Sequence, residues 1–214
     1  LGAVTTQTGI ELFETLRWTP RDGFSRLDRH LQRMRSSAEF FGIPMNSTCA
    51  HGALDQAIVG DPDLCLRVRL SLDMQGEFRV EWRELPEGLS SDEAQPIRLA
   101  VNPIDSSDLY LRHKTNHREV YDQAVAEVPD GVEPILFNER GEITESAIAN
   151  VVYRVGVDWF TPPVASGLLP GTLREELVEQ GKLTPRVLRV EELKSVAELA
   201  LVNGVRGWRK TSWV

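Results

Sequence analysis

One lysine, Lys114, stands within a strongly basic stretch, LRHKTNHREVYD, at positions 111–122. Its neighbours Arg112, His113, His117 and Arg118 gather positive charge in a protein whose formal net charge is -8. Nearby cations disfavour an ammonium ion, so the pKa of Lys114 is expected to fall. A neutral lysine can attack a carbonyl group and form a Schiff base. The alternative is a solvated basic patch at the start of a helix, and this stretch alone leaves both open.

A carboxylate, Glu145, lies in the stretch GEITESAIAN, where the apolar alternation of a buried strand would place Ile, Val or Ala. A buried carboxylate needs a partner, because burying an unpaired charge is costly. That partner is either a bound cationic group or an internal salt bridge. Arg140 and Arg154 are the candidates for the salt bridge.

Two further features could bind an anion. Pro170 and Gly171 predict a turn, after which Thr172 can cap a helix whose free N–H groups suit a phosphate. On an earlier helix, LDRHLQRM, Arg33 lies next to apolar Met34 and could reach an anion at the helix flank. The alternatives are an ordinary capped helix and solvated arginines.

Mixed helices and strands must position these residues. The pattern does not alternate strictly between strand and helix, which indicates an α+β fold. We expect a small α+β domain at residues 1–98, a linker at 99–108 and a larger α+β domain at 109–214. Helices are predicted at 27–41 with a cap at Ser25, at 52–59, at 117–127, from Thr172 onward and at 191–197. Strands are predicted at 9–18, 64–72, 77–82, 97–102, 133–138, 143–155, 158–163, 187–190 and 198–204.

Composition excludes several classes of protein. The chain has 214 residues, is 41% hydrophobic and 26% charged, and can bury a core without metals or disulfides. A pI near 5.1 argues against a nucleic-acid binder. Cys49 and Cys65 form no CxxC pair, so we expect no metal site and a cytoplasmic location. No apolar run spans a membrane and no signal peptide is visible. Because residue 1 is Leu, we expect the protein's own N-terminus to lie further upstream.

In chain order, several stretches resemble the class IV (fold type IV) pyridoxal-phosphate aminotransferase family over almost the whole sequence. They are LFETLRW, LDRHLQRMRSSAEFFGI, RHKTNHREVYD, ILFNERGEITESAIANVVY, TPPVASGLLPGTLRE and LVNGVRGW. The resemblance implies a two-domain fold like that of D-amino acid aminotransferase, with pyridoxal 5'-phosphate in the cleft between the domains. It also implies a homodimer with active sites near the subunit interface.

The resemblance also implies roles for particular residues. Lys114 matches the Schiff-base lysine, and Glu145 matches the carboxylate that faces the pyridine nitrogen. Arg33 matches the phosphate-binding arginine. Thr172 and Leu173 match the residues whose amides cradle the phosphate.

Gly204 is a departure from the family pattern. The family usually has Ser or Thr at this position as a phosphate ligand. Only a backbone amide of Gly204 could bind the phosphate, so we expect a lower affinity for the cofactor.

Within the family, HKT…R…YD and NGVRGW resemble the lyase members, and this resemblance implies conversion of 4-amino-4-deoxychorismate to 4-aminobenzoate and pyruvate in folate synthesis. The alternatives are a transaminase acting on D-amino or branched-chain amino acids, and a non-catalytic relative that binds a small anion. We expect a small anionic substrate, and no nucleic-acid or membrane partner. Arg17, Arg69, Arg112 and Arg206 remain open as contacts for its carboxylates.

Overall fold

The computed structural model describes residues 9–58, 64–85 and 93–214, which form two β-sheets with helices packed on them. Helices and mainly antiparallel strands occur in both halves, as an α+β protein requires. Within the described residues no helix is long and apolar enough to cross a membrane.

The first sheet has four antiparallel strands in the order β2-β1-β3-β4. Its elements are β1 (Leu12–Thr19), β2 (Gly23–Phe24), α1 (Leu27–Phe41), α2 (Ser47–Ala57), β3 (Leu66–Leu72) and β4 (Phe78–Glu84).

Alternation along β3 gives this sheet two different faces. Leu66, Val68 and Leu70 point to one side and are fully buried in a core that α1 and α2 cover. Arg67 and Arg69 point to the opposite side, because successive strand residues face opposite ways. The helices therefore leave an arginine-bearing face uncovered.

The second sheet has eight strands in the order β10-β9-β8-β11-β12-β5-β6-β7. An additional pairing of β7 with β8, at the hairpin around residues 147–149, closes six of them into a ring. Its elements are β5 (Gln95–Leu99), α3 (Glu119–Ala126), β6 (Glu133–Phe137), β7 (Ile143–Ser146), β8 (Asn150–Val155), β9 (Asp158–Thr161), α4 (Thr172–Glu179), β10 (Thr184–Pro185), β11 (Glu198–Asn203) and β12 (Gly207–Trp213).

Three strand predictions fail in the second half. The run predicted as one strand at 143–155 is divided into β7 and β8 by the hairpin around residues 147–149. Residues 187–190 form no strand; the segment contributes only a single bridge, between Arg189 and Glu142. Strand β12 was not predicted, because Trp208, Lys210 and Ser212 show no apolar alternation. It forms because its backbone pairs with β11 on one side and β5 on the other.

The predicted helix caps are also corrected. Arg26, not Ser25, precedes α1, in a left-handed conformation with φ 55° and no side-chain cap. Gly171 precedes α4 as its N-cap, so Thr172 is the first residue of the helix rather than its cap.

The predicted boundary at residue 98 falls inside β5. This strand pairs with β12 and β6, so the change of sheet comes between Glu84 and Gln95. The division into a small and a larger domain itself stays a prediction.

Candidate active site

A cavity of about 630 Å³ lies between the arginine-bearing face of the small sheet and the larger sheet. It is lined by helix α1, the segment 113–118, the β7–β8 hairpin, the start of α4 and the turn between β11 and β12. It brings together five residues singled out from the sequence: Lys114, Glu145, Arg33, Thr172 and Gly204.

The segment that carries Lys114 is held against strand β1. The N–H of Phe13 donates to the carbonyl oxygen of Lys114 at 3.0 Å, and the N–H of Asn116 donates to the carbonyl oxygen of Glu11 at 3.0 Å. The amino nitrogen of Lys114 lies 4.7 Å from the centre of the Phe13 ring. The lysine is therefore fixed where the two sheets meet, at the cavity wall.

The pKa of Lys114 is lowered to about 7. Burial is the largest cause, followed by the positive charges of Arg33 and Arg118. The predicted direction is confirmed, but its main cause is burial rather than the neighbouring basic residues. Arg112 is exposed, and His113 accepts or donates a hydrogen bond with Ser37 at 2.9 Å.

Glu145 is buried at the far wall of the cavity, with an exposed fraction of 5%. Oε1 accepts from the hydroxyl of Tyr121 at 2.7 Å and from the N–H of Leu169 at 3.0 Å. Oε2 accepts from Nδ2 of Asn150 at 3.2 Å. Burial raises the pKa of Glu145 to about 7, against the lowering effect of these hydrogen bonds and of the Lys114 charge.

The internal salt bridge considered for Glu145 is wrong. Arg140 pairs with Glu142 at 2.8 Å, and Arg154 pairs with Glu198. Within residues 9–58, 64–85 and 93–214, Glu145 has no ion-pair partner. Its carboxylate is consequently available to a cationic group that enters the cavity.

Arg33 reaches the cavity from helix α1 and pairs with a carboxylate that the sequence analysis missed, Glu14. His30 lies one turn earlier on α1, and its Nδ1 is 2.6 Å from Oε2 of Glu14. Burial acts to raise the pKa of Glu14, but Arg33 and His30 outweigh it and hold the pKa at about 2. A signal did exist in the sequence, because Glu14 interrupts the alternation of buried Leu12 and Leu16.

The start of α4 lies beside this group. Oγ1 of Thr172 is 3.1 Å from Nε2 of His30, and the amide of Gly171 donates to Oδ1 of Asn150 at 3.1 Å. The first N–H groups of a helix have no acceptor inside it, so the amides of Thr172 and Leu173 can meet an anion. The side chain of Leu173 instead packs in a core cluster.

Gly204 closes this corner of the cavity. A β-carbon there would lie 3.0 Å from Oγ1 of Thr172 and 3.2 Å from Nε2 of His30. A larger side chain would therefore crowd these two groups. The Thr172 hydroxyl and the His30 imidazole occupy the space into which a side chain at this position would project.

The arginines predicted to contact substrate divide into two groups. Arg69 and Arg206 line the cavity, whereas Arg112 and Arg17 are exposed and do not. Arg69 already pairs with Glu11 at 2.9 Å and stacks over the Phe13 ring.

Two arginines that were not predicted, Arg67 and Arg83, also line the cavity. Both lie on strands of the small sheet. The arginine spacing along LRVRL contained the signal, since it places Arg67 and Arg69 on one face.

The cavity therefore combines a lysine of lowered pKa, a buried carboxylate and a helix start flanked by an arginine. These groups suit a flat organic phosphate with a carbonyl group for Lys114 and a basic ring nitrogen for Glu145. Among the residues that the structure describes, no group of three His, Cys, Asp or Glu side chains is arranged to hold a metal ion.

Comparison with known sequences gives two matches that cover most of the chain. The sequence model of the family described as amino-transferase class IV matches residues 11–212. A Schizosaccharomyces pombe protein named "Putative aminodeoxychorismate lyase" is 30% identical over 210 residues, which are 91% of this chain and 86% of that protein.

Solved structures resemble the chain as well. A "Putative amino-acid aminotransferase" from Mesorhizobium loti is 35% identical with a TM-score of 0.90, and the match covers 96% of this chain and 100% of that one. The PLP-bound form of "a hypothetical aminotransferase" from Mycobacterium tuberculosis has a TM-score of 0.77 at 21% identity, over 95% of this chain and 81% of that one. The second likeness concerns the fold alone.

Proposed function

The chain belongs to the class IV aminotransferase family, whose enzymes depend on pyridoxal 5'-phosphate, and on that premise we propose that it binds this cofactor and acts as a lyase on 4-amino-4-deoxychorismate. The predicted family and fold are confirmed by the match over residues 11–212 and by the TM-score of 0.90. The finer statements below are our proposal.

The observation that carries the proposal is the convergence of three groups in one cavity. Lys114 would bond the cofactor, and Glu145 would face its ring nitrogen. Arg33 and the amides of Thr172 and Leu173 would hold its phosphate. The residues fit this cofactor, because free amides at a helix start match its phosphate, and a buried carboxylate that has no cationic partner among the described residues matches its basic nitrogen.

Pyridoxal 5'-phosphate, when bound, supplies an electron sink for the substrate carbon that loses a proton. Glu145 would face the ring nitrogen, and the negative charge of its buried carboxylate would keep that nitrogen protonated. The amine of Lys114 has a pKa of about 7, so both its protonated and its neutral form are present near neutral pH. A group with such a pKa can accept a proton and return it without a large energetic cost in either direction.

In the lyase reaction, the substrate amine would replace Lys114 as the group bonded to the cofactor, and the freed amine of Lys114 would take the proton from the ring carbon that bears the substrate amine. The bond between the ring and the enolpyruvyl oxygen then breaks, and the ring becomes aromatic. The released enolpyruvate takes up a proton to give pyruvate, so the atoms balance without a second substrate. A transaminase, by contrast, must accept a keto acid to complete its cycle.

The similarity to a protein named as an aminodeoxychorismate lyase supports this choice of reaction. The aminotransferase name of the Mesorhizobium loti structure supports the second candidate, a transaminase for D-amino or branched-chain amino acids. The basic lining of the cavity favours the lyase, because 4-amino-4-deoxychorismate carries two carboxylates.

The test is a product assay with enzyme, cofactor and 4-amino-4-deoxychorismate in the absence of any keto acid. We expect 4-aminobenzoate and pyruvate in equal amounts. If no 4-aminobenzoate forms, while D-alanine or a branched-chain amino acid transfers its amino group to 2-oxoglutarate, the lyase proposal is wrong and the transaminase replaces it.

We further propose a cytoplasmic homodimer. The two cysteines, exposed Cys49 and half-buried Cys65, are both free thiols, which suits a reducing compartment. Sedimentation at micromolar concentration checks the assembly, and a species with the mass of one chain would contradict it.

A further inference from the structure

One end of the cavity carries arginines that the chemistry at Lys114 does not use. Arg67 on β3 stands directly opposite Arg83 on β4, and on its other side it stands directly opposite Arg17 on β1. Three arginine residues therefore form a row across three adjacent strands. Arg206, from the turn between β11 and β12, approaches the row from the larger sheet.

This arrangement is unfavourable in the absence of an anion. Like charges directly opposite on neighbouring strands destabilise a sheet. Arg67 is half-buried, and its pKa is lowered first by burial and then by the charges of Arg83, Arg69 and Arg206. Arg206 lines the same cavity as Arg67, so the larger sheet contributes a further positive charge there.

Within residues 9–58, 64–85 and 93–214, no carboxylate lies within ion-pair distance of Arg67, Arg83 or Arg206. The neighbouring Arg69 differs, because Glu11 pairs with it at 2.9 Å. Glu84 lines the same end of the cavity without forming an ion pair there. Arg67 and Arg206 are half-buried and Arg83 is exposed; guanidinium groups that the described residues leave without a counter-charge are expected to bind an anionic group of a ligand.

We propose that Arg67, Arg83 and Arg206 form a binding site for a carboxylate of the substrate that is remote from its reacting amine. This inference rests on the proposed function, since it assumes that the amine reacts at Lys114 in the same cavity. The substrate class that fits this site is an amine that also carries an anionic group remote from the amine. An apolar amino acid would leave these guanidinium groups unpaired, so the site selects against branched-chain substrates.

The experiment measures binding rather than turnover. Isophthalate carries two carboxylates on a six-membered ring, and benzoate carries one. Calorimetric titration of the cofactor-loaded protein is expected to give a dissociation constant for isophthalate about tenfold or more below that for benzoate. Arg67→Gln should weaken isophthalate binding and remove most of this preference.

Arg79→Gln is the matched control. Arg79 lies on the same strand as Arg83 and opposite Ser71, but it does not line the cavity. Arg79→Gln removes the same charge as Arg67→Gln, so a general electrostatic effect would weaken isophthalate binding equally in both variants. That result, or the absence of any preference in the unmodified protein, overturns the inference.

The Tm of Arg67→Gln shows whether a loss of binding comes from misfolding. Arg67→Gln relieves repulsion within the row, so the Tm without added anions should rise, and a fall in Tm would contradict our reading of the row.

The two proposals can fail separately. If isophthalate binding depends on Arg67 but no 4-aminobenzoate forms, the carboxylate site stands and the lyase reaction fails. If 4-aminobenzoate forms and Arg67→Gln leaves KM unchanged, the lyase stands and the carboxylate site fails.

Discussion

Arg33 donates hydrogen bonds to both carboxylate oxygens of Glu14: Nε lies 2.8 Å from Oε1, and NH2 lies 2.6 Å from Oε2. NH1 donates to the carbonyl oxygen of Pro170 at 2.9 Å, just before the turn that opens α4. An arginine side chain has five N–H donors, and these three bonds leave two, one on NH1 and one on NH2. Glu14 therefore fixes the arginine beside the start of α4 without using all of its donors.

Replacing this arginine should weaken binding of pyridoxal 5'-phosphate strongly. Arg33→Ala removes the remaining donors to the phosphate and, among the described residues, leaves buried Glu14 with His30 as its one side-chain partner. We expect the dissociation constant to rise by more than about tenfold. Absorbance titration with the cofactor measures it.

Arg29→Ala is the control for that titration. Arg29 lies on the same helix but pairs with Glu179 on the surface, with NH1 2.8 Å from Oε1. An equal loss of affinity in both variants would mean that Arg33 is not the phosphate arginine.

The sequence indicated Arg33 but not the group that positions it. Helix α1 was predicted at its observed bounds, because Leu31, Met34 and Ala38 mark one buried face. Glu14 lies sixteen residues before His30 on a different element, and only the folded chain brings the two within 2.6 Å. A contact of this kind has no local pattern in the sequence.

The sequence also predicted the lowered pKa of Lys114 only in part. The basic stretch predicted its direction, but burial depends on how the segment 113–118 pairs with β1, which no local pattern encodes. The position of Arg206 in the cavity lining likewise has no local pattern in the sequence, because it depends on a turn before β12, a strand that was not predicted. Lys114 was singled out by its basic neighbours, Glu145 by its place in an apolar run and Thr172 by the Pro-Gly pair before it, and the family resemblance implied their roles.

Glu145→Gln should bind the cofactor but lose several orders of magnitude in rate. A neutral amide accepts hydrogen bonds from Tyr121 and Leu169 but cannot keep the ring nitrogen of the cofactor protonated. The measurement is kcat beside the cofactor affinity of the same variant. A variant with near-normal kcat would assign Glu145 a structural role only.

The lowered pKa of Lys114 predicts how stability depends on pH. Its folded pKa of about 7 lies below the ordinary value of 10.5, so burying this side chain costs most below pH 7. The cost declines as pH rises from 7 toward 10.5, because the unfolded chain then binds more protons than the folded one. Lys114→Met should therefore raise the Tm of the cofactor-free protein at about pH 6 far more than at about pH 9.5.

Lys182→Met serves as the control, because Lys182 is exposed and does not line the cavity. Its Tm shift should be small at both pH values. A shift for Lys114→Met that is independent of pH, or a fall in Tm at the lower pH, would contradict the burial of this amine.

The most direct test of the account is to find which lysine bears the cofactor. The loaded protein is reduced with borohydride, digested and mapped by mass spectrometry. We predict that the reduced cofactor is attached to the peptide containing Lys114, and that Lys114→Ala abolishes both this label and the absorbance above about 400 nm. A label on Lys182, Lys194 or Lys210, each of which is exposed outside this cavity, would contradict the proposed site.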